Sequence, residues 1–439
     1  MASKIQKFYD GRVVFLTGGS GFFGKVLLLK LLQSCPGIRG IIVLLREKHG
    51  QSCKERLFNI LSSSEFSALP KSSFLKVSYV EGDMEKEGLG LSKEDRQFLL
   101  SSHISVVFHI AASLSLHEPL VKCVKTNAMP VIELIGLCEE MPELKGLVYV
   151  STAFSQCPHS EIKEEVYPLP IEYKQIFNDK LDEETMMKVR KTGGWPNNYA
   201  FSKALAEEML QKIHSHFPVA IFRPSLVINA WKEPNPGWIN NSYSITRVLR
   251  TAYMGYDRVG IFRVEKVGDL VPVDMCVNAM IATAWETAKS EYRGQTKVYN
   301  FVSGAQNPIT WKEYWSICGQ KIIENPPSKA VWYFFYTITA LWPVYFSLWL
   351  FLDLIPACLL QALQYCTASG SKRIIKEALR SLQYAILVKY FGDKEWSFHD
   401  TNIRSLLDKL TPEDSAIFNF DIKQINWTEY LENCVKGVR

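Results

Sequence analysis

At residues 197 to 210 the sequence reads NNYAFSKALAEEML, which puts a phenol, Tyr199, and an amine, Lys203, four positions apart at the start of a stretch with helical apolar spacing. Four residues make about one helical turn, so the two side chains share a face. An ammonium beside a phenol lowers its pKa from about 10 and makes it a proton donor or acceptor near neutral pH. Alone, the pair is equally a chance match on a helix surface. Upstream, YVSTAF closes an apolar run and sets the hydroxyls of Ser151 and Thr152 at a strand end. A hydroxyl there can hydrogen-bond an oxygen on which negative charge develops, although Ser and Thr at strand ends also serve as caps.

A second chemistry-bearing stretch lies near the start. RVVFLTGGSGFFGKVLLLKLL passes from a β-branched run through a glycine-rich turn into a helical pattern, with Gly18, Gly21 and Gly24 in T-G-x-x-G-x-x-G spacing and Thr17 and Phe22 beside them. Such a strand, loop and helix predict a dinucleotide site, in which bare backbone and helix N-terminal amides receive a pyrophosphate. The next strand, GIIVLLREK, ends on Arg46 rather than on an acidic residue. A cation there suits a 2′-phosphate and predicts NADPH rather than NADH. Asp83 in VEGDM follows the third strand, where it is either an acceptor for the adenine amino group or a turn-forming Asp.

The elements that must position these groups are legible in outline. Strand-like GIIVLLREK, FLKVSYVEGDM, ISVVFHIAAS, GLVYVSTAF and VAIFRPSLVI alternate with helix-like SCKERLFNILSS and AMPVIELIGLCEEM. The pattern predicts an α/β fold, a doubly wound parallel sheet of Rossmann type with strands buried on both faces. Residues 229 to 300, richer in Trp, Asn, Pro and Gly, read as the substrate side of a doubly wound domain over 1–325. Prolines near 326 then mark a boundary to a smaller, mostly helical C-terminal domain over 326–439.

In that domain Ala330 to Leu352 carries no charge and is long enough to span a bilayer, with Trp and Tyr suited to an interface. Pro343, Pro356 and Asp353 leave open a buried or groove-lining element. The net charge of +5 is small for 439 residues, and the cations form no aromatic-interleaved stripe, so no nucleic-acid partner is expected. Ten cysteines without a C-x-x-C pair, and eight histidines without a ligand cluster, predict a reducing compartment and no metal. No apolar signal region opens the chain, and neither S-K-L nor K-D-E-L closes it.

In this order the glycine loop, strand-end hydroxyls, Y-x-x-x-K and Arg-Pro-Ser resemble the extended short-chain dehydrogenase/reductase superfamily. Within it, FYDGRVVFLTGGSGFFGKVLLLKLLQSCPGI, VSTAF, NNYAFSKALAEE, FRPSLV, WKEPNPGWINN and DLVPVDMCVN look like alcohol-forming fatty acyl-CoA reductases. The likeness runs on through LTPEDSAIFNFDIKQINWTEYLENC, which resembles the C-terminal domain of male-sterility-type reductases. It implies Tyr199 as acid, Lys203 as its electrostatic partner and ribose ligand, and Thr152, with Ser151 as second choice, at the carbonyl. It further implies Thr17, Gly18, Gly21, Phe22 and Gly24 at the pyrophosphate, Arg46 at the 2′-phosphate and Asp83 at the adenine. Ala111 and Ala112 of HIAAS would line the adenosine, and Arg223 and Pro224 would lie near the nicotinamide. The implied reaction takes a long-chain acyl-CoA through an aldehyde to a primary alcohol with NADPH, at a cytosol-facing membrane. Two alternatives stand beside it: another extended short-chain reductase such as a hydroxysteroid dehydrogenase, which would use the same Tyr, Lys and hydroxyl, and a non-catalytic NADPH-binding membrane scaffold, which would not need them.

Overall fold

The computed structural model describes residues 3–115, 118–170, 174, 183–213, 215–240, 243–289, 296–366 and 374–438. Two compact units emerge. The first combines Met1–Ser225, Val273–Val302 and Phe398–Asp421, and the second Leu226–Pro272, Ser303–Ser397 and Ile422–Arg439.

The first unit is built on seven strands: β1 Val13–Thr17, β2 Gly40–Leu45, β3 Val77–Glu81, β4 Ile104–His109, β5 Gly146–Val150, β6 Val219–Pro224 and β7 Thr296–Phe301. All pairs are parallel, in the order β7-β6-β5-β4-β1-β2-β3. Every residue of β1, β4, β5 and β6 is buried, as their unbroken apolar character requires of strands covered on both faces. The chain builds outward from β1 in one direction, then returns to build from β4 in the other. The carboxyl ends of β1 and β4 therefore flank the point of reversal, where sheets of this kind bind ligands. The doubly wound architecture read from the sequence is thus present.

β7 is absent from the sequence reading. Its polar residues hid it: Thr296 and Lys297 are only half-buried, and Asn300 is buried as the donor of hydrogen bonds to the carbonyls of Ile162 (3.2 Å) and His399 (2.8 Å). A polar side chain with buried partners does not register as apolar periodicity.

The second unit is mainly helical, with two small parallel pairs, Leu226–Ile228 with Leu270–Pro272 and Val259–Ile261 with Thr337–Thr339. One strand of the second pair falls inside the apolar segment predicted over 330–352. The first half of that segment holds the strand Thr337–Thr339, and the helix starts only at Trp342, with Pro343 in the first turn, where a missing N–H is tolerated. The helix continues through a π-helical turn, Leu350–Leu354, into Ile355–Cys366. The wider turn immediately before Pro356 relieves the clash its ring makes in a tight α-helix.

Candidate functional site

Helix Asn198–Lys212 begins at Asn197, whose side chain accepts from the Ala200 amide at 2.8 Å. Tyr199, Lys203 and Glu207 follow at four-residue intervals and make one stripe along it. Lys203 is buried; its Nζ donates to the Val150 carbonyl at 2.7 Å and the Tyr149 hydroxyl at 3.2 Å, and sits 4.6 Å from the centre of the Tyr149 ring. The end of β5 thus holds the amine in place. Burial pulls its pKa down to about 7, against an opposing pull from the Glu207 carboxylate.

Tyr199 does not show the lowered phenol pKa predicted from its neighbour. It is half-buried at its surface but densely enclosed, and burial raises its pKa above 10. Desolvation penalises the phenolate, and the buried Cys123 beside it adds to the rise. Tyr199 therefore carries its proton at neutral pH.

The two candidate hydroxyls have different fates. Ser151 donates to the Glu207 carboxylate, as do Ser155 Oγ (2.8 Å) and Gln156 Nε2 (3.0 Å). Thr152 caps the short helix Ala153–Gln156, accepting from the Phe154 amide at 3.3 Å, and keeps its own O–H to donate. Arg223, expected near a nicotinamide, is fully buried. Its Nε and Nη2 clasp Glu207 at 2.9 and 2.6 Å, and the remaining donors go to the carbonyls of Lys163 (3.1 Å) and Glu165 (2.9 Å). That guanidinium offers no surface to a ligand; it fixes the loop after β5 to β6. Pro224 ends β6 opposite Phe301.

At the other end of the site, Gly18 has φ +77° and comes so close to the chain after β4 that an added Cβ would lie 2.6 Å from the Ala111 nitrogen. At Gly24 the same atom would lie 2.2 Å from the Gly18 carbonyl oxygen. Helix Phe22–Ser34 starts at Gly21 with no side chain capping it. Bare backbone and an uncapped helix N-terminus fit a pyrophosphate. Thr17, buried at the end of β1, shares a hydrogen bond of 2.7 Å with His109 Nδ1 and accepts from the Ala111 amide at 3.4 Å. It ties the two strands rather than facing outward. Phe22 opens the helix, and Ala112 follows Ala111 beyond β4.

Arg46 lies half-exposed past β2, 3.5 Å from Asp83 Oδ1 and 4.0 Å from Glu85. Asp83 Oδ1 also accepts from the Glu85 amide at 3.1 Å, an Asx-type turn. A second cation joins Arg46: Arg56 donates to the Arg46 carbonyl and, at 3.0 Å, to Ser20 Oγ in the glycine loop. The sequence reading missed Arg56, Tyr149, His109 and Glu207. Glu207 alone had a visible signal, since it continues the four-residue stripe. The others are brought in by tertiary packing. His109 links the halves: bonded to Thr17, it stacks on Tyr149 with ring centres 5.5 Å apart. Burial, aided by Lys203, drops its pKa to about 3, so it is neutral.

These halves form one continuous run from glycine loop to Tyr–Lys helix. The family described as male sterility protein matches through its NAD-binding domain over residues 16–280 and its Sterile domain over 352–439. The chain is 33% identical to the fatty acyl-CoA reductase wat of Drosophila melanogaster, over all of this chain and 85% of that one. It is 32% identical to fatty acyl-CoA reductase 2 of Homo sapiens, over all of this chain and 86% of that one. Among solved structures, the reductase domain of a nonribosomal peptide synthetase from Mycobacterium tuberculosis superposes with a TM-score of 0.65 at 20% identity, over 98% of this chain and 91% of that one. A UDP-glucuronic acid 4-epimerase from Bacillus cereus in complex with NAD superposes at 0.55 and 14%, over 97% and 98%. Those two likenesses concern the fold; identity over the full length concerns descent, and by it the chain belongs to the fatty acyl-CoA reductase family.

Proposed function

We propose that this protein reduces a long-chain fatty acyl-CoA to the primary alcohol with two equivalents of NADPH, releasing coenzyme A and passing through the aldehyde. The observation that carries the reading is the run of groups at the carboxyl end of β5: Thr152 with a hydroxyl proton to give, protonated Tyr199, and Lys203 clamped by Val150 and Tyr149. The choice of NADPH rests on Arg46 and Arg56, two guanidiniums past β2 where a 2′-phosphate would need them. The cofactor, when bound, supplies the hydride for each reduction.

Thr152 donates its hydrogen bond to the acyl oxygen and stabilises the negative charge that gathers there as the carbonyl carbon is reduced. The resulting thiohemiacetal oxyanion re-forms its C=O bond and expels the coenzyme A thiolate, leaving the aldehyde. In the second reduction Tyr199 gives its proton to the alkoxide. Its high pKa suits this role, since the acid must be loaded at neutral pH. Lys203 supplies positive charge against the phenolate so formed, and an N–H it does not give to Val150 or Tyr149 would bond the nicotinamide ribose. Gly18, Gly21 and Gly24 would hold the pyrophosphate, with Asp83, Ala111 and Ala112 on the adenosine side. The site of action in this reading is the cytosolic face of a membrane; the apolar helix of the second unit supports the membrane association, and such a product partitions into lipid.

Purified protein given palmitoyl-CoA is expected to oxidise two NADPH per hexadecanol formed, with NADH a poor substitute. Tyr199→Phe should lower kcat about 100-fold or more with little change in NADPH affinity. Oxidation of NADPH only with a ketosteroid, or a fully active Tyr199→Phe, would sink the proposal.

A further inference from the structure

We infer that the helical run Trp342–Leu363 does not cross a bilayer but lies along its surface, held by its inner face to the second unit and embedding its outer face among lipid acyl chains. This deepens the membrane reading above and does not depend on the reductase chemistry.

The run is 22 residues long, enough to span, and is the one helical run of that kind among the described residues. Its two faces differ sharply. The exposed positions within it are Pro343, Val344, Phe346, Ser347, Leu350, Phe351, Ile355, Cys358, Leu359, Ala362 and Leu363. Phe351 is 65% exposed, and Leu359 and Leu363 are each 62% exposed. The single hydroxyl in that set, on Ser347, donates back to the Pro343 carbonyl at 3.0 Å. A protein partner leaves polar atoms to be paired at an interface, with about one hydrogen bond for each 100–200 Å². Beyond the weak thiol of Cys358, the exposed side chains of this face offer no group to pair, which is the chemistry of a surface whose neighbour is hydrocarbon.

The inner face is equally definite. Tyr345, Trp349, Asp353 and Ala357 are buried at four-residue intervals. A straight α-helix would rotate that series by about 120° over its length, given 3.6 residues per turn. The π-turn at Leu350–Leu354 absorbs most of the drift and keeps the stripe facing inward. Asp353 accepts from the Arg258 amide at 3.1 Å, while the Arg258 guanidinium donates to the Leu352 carbonyl and to the Gly255 carbonyl at 3.0 Å. Trp349 Nε1 donates to the Ala378 carbonyl at 3.1 Å. The middle of the run is therefore latched to its own unit.

That latch decides between spanning and lying flat. Helix Ile374–Asp393 packs alongside and carries Lys376, Glu377, Arg380 and Lys389. An upright run would draw these charges to membrane depth, at several kcal/mol for each near the centre. A flat run leaves them at the headgroups. Lys389 already fits such an interface: its Nζ lies 3.2 Å from the Ala340 carbonyl and 5.8 Å from the Trp342 ring, pairing cation and aromatic at the start of the run.

The test uses the full chain and flotation on vesicles of phosphatidylcholine, with and without phosphatidylserine. The parent should float, and Phe351→Glu with Leu359→Glu should cut the bound fraction about tenfold or more. Both side chains are exposed, so NADPH binding should persist. Independently, an environment-sensitive fluorophore on the exposed thiol of Cys358, in a Cys366→Ser background, should be quenched most by lipids carrying the quencher high on the acyl chain. Undiminished flotation of the double variant would overturn the inference, as would strongest quenching at the bilayer midplane. So would a concentration-dependent dimer, without vesicles, that the same substitutions abolish. Flotation is read without turnover, so its failure leaves the reductase proposal standing, and inactivity toward acyl-CoA leaves this one.

Discussion

Lys203 makes its own prediction. Its folded pKa, about 7, lies below the roughly 10.4 of an exposed lysine, because burial penalises the ammonium. Between those values the unfolded chain binds more protons than the folded one, so stability contributed through this residue rises with pH across that window. The penalty is full below pH 7 and gone above the unfolded pKa. Urea midpoints of the cofactor-free protein should therefore gain on those of Lys203→Met between pH 7 and pH 10, by at most about 1.4 kcal/mol per pH unit. A constant difference between the two proteins across that window would contradict the assigned environment. Residue spacing alone identified Tyr199 and Lys203 as neighbours, and this was sound because helical geometry is local. The direction of their pKa values was not legible, since desolvation depends on β5 and on Tyr149, which lie far off in sequence.

One scale up, an ion pair organises the elements around the reacting end. Glu207 on the helix and Arg223 on β6 have no exposed side-chain surface, and the same carboxylate holds Ser151, Ser155 and Gln156. Removing one member of a buried pair strands the other charge, which costs roughly 3–5 kcal/mol. Arg223→Met should lose about that much in denaturant unfolding. A second change, Glu207→Leu, should return part of it, but not all, because the loop after β5 loses its anchor as well. A loss below about 1 kcal/mol in the single variant would mean the pair behaves like a surface contact. The sequence suggested a ligand role for Arg223 because it follows a strand in an Arg-Pro-Ser run; only the helix stripe ending at Glu207 reveals the structural one. Strands β1 to β6 were readable from apolar runs with buried faces, whereas β7 was concealed by Asn300 and Lys297. The apolar helix was visible as an uncharged stretch, but composition could not show that its first residues pair as strand Thr337–Thr339 with Val259–Ile261.

At the scale of the whole chain, the two units interleave in sequence, which an inspection of composition could not detect: a proline-rich stretch marks a change of surface chemistry, not the return of the chain to an earlier unit. Residues 398–421 come back to the first unit before the chain ends in the second with Ile422–Arg439. There Asp414 accepts from Ser3 Oγ (2.5 Å) and the Ile5 amide (3.1 Å), and Phe418 and Phe420 are buried, Phe420 edge-on to Phe301 of β7. Asn402 donates to the Val298 carbonyl on β7 at 2.8 Å, and helix Thr401–Asp408 packs against that strand. A chain cut at residue 325, the boundary read from the prolines, would strip this cover from β7. It would leave an edge strand open to pairing with other molecules and an N-terminal helix without its acceptor. Such a fragment should aggregate on expression and bind NADPH at least about tenfold more weakly than the full chain, since β1 and its glycine loop lie just beyond that helix. Joining residues 398–421 to it through a flexible linker should recover solubility. If the 1–325 fragment were instead monomeric in sedimentation and bound NADPH as the full chain does, the first unit would not need its returning segment, and the interleaving would be a matter of topology alone.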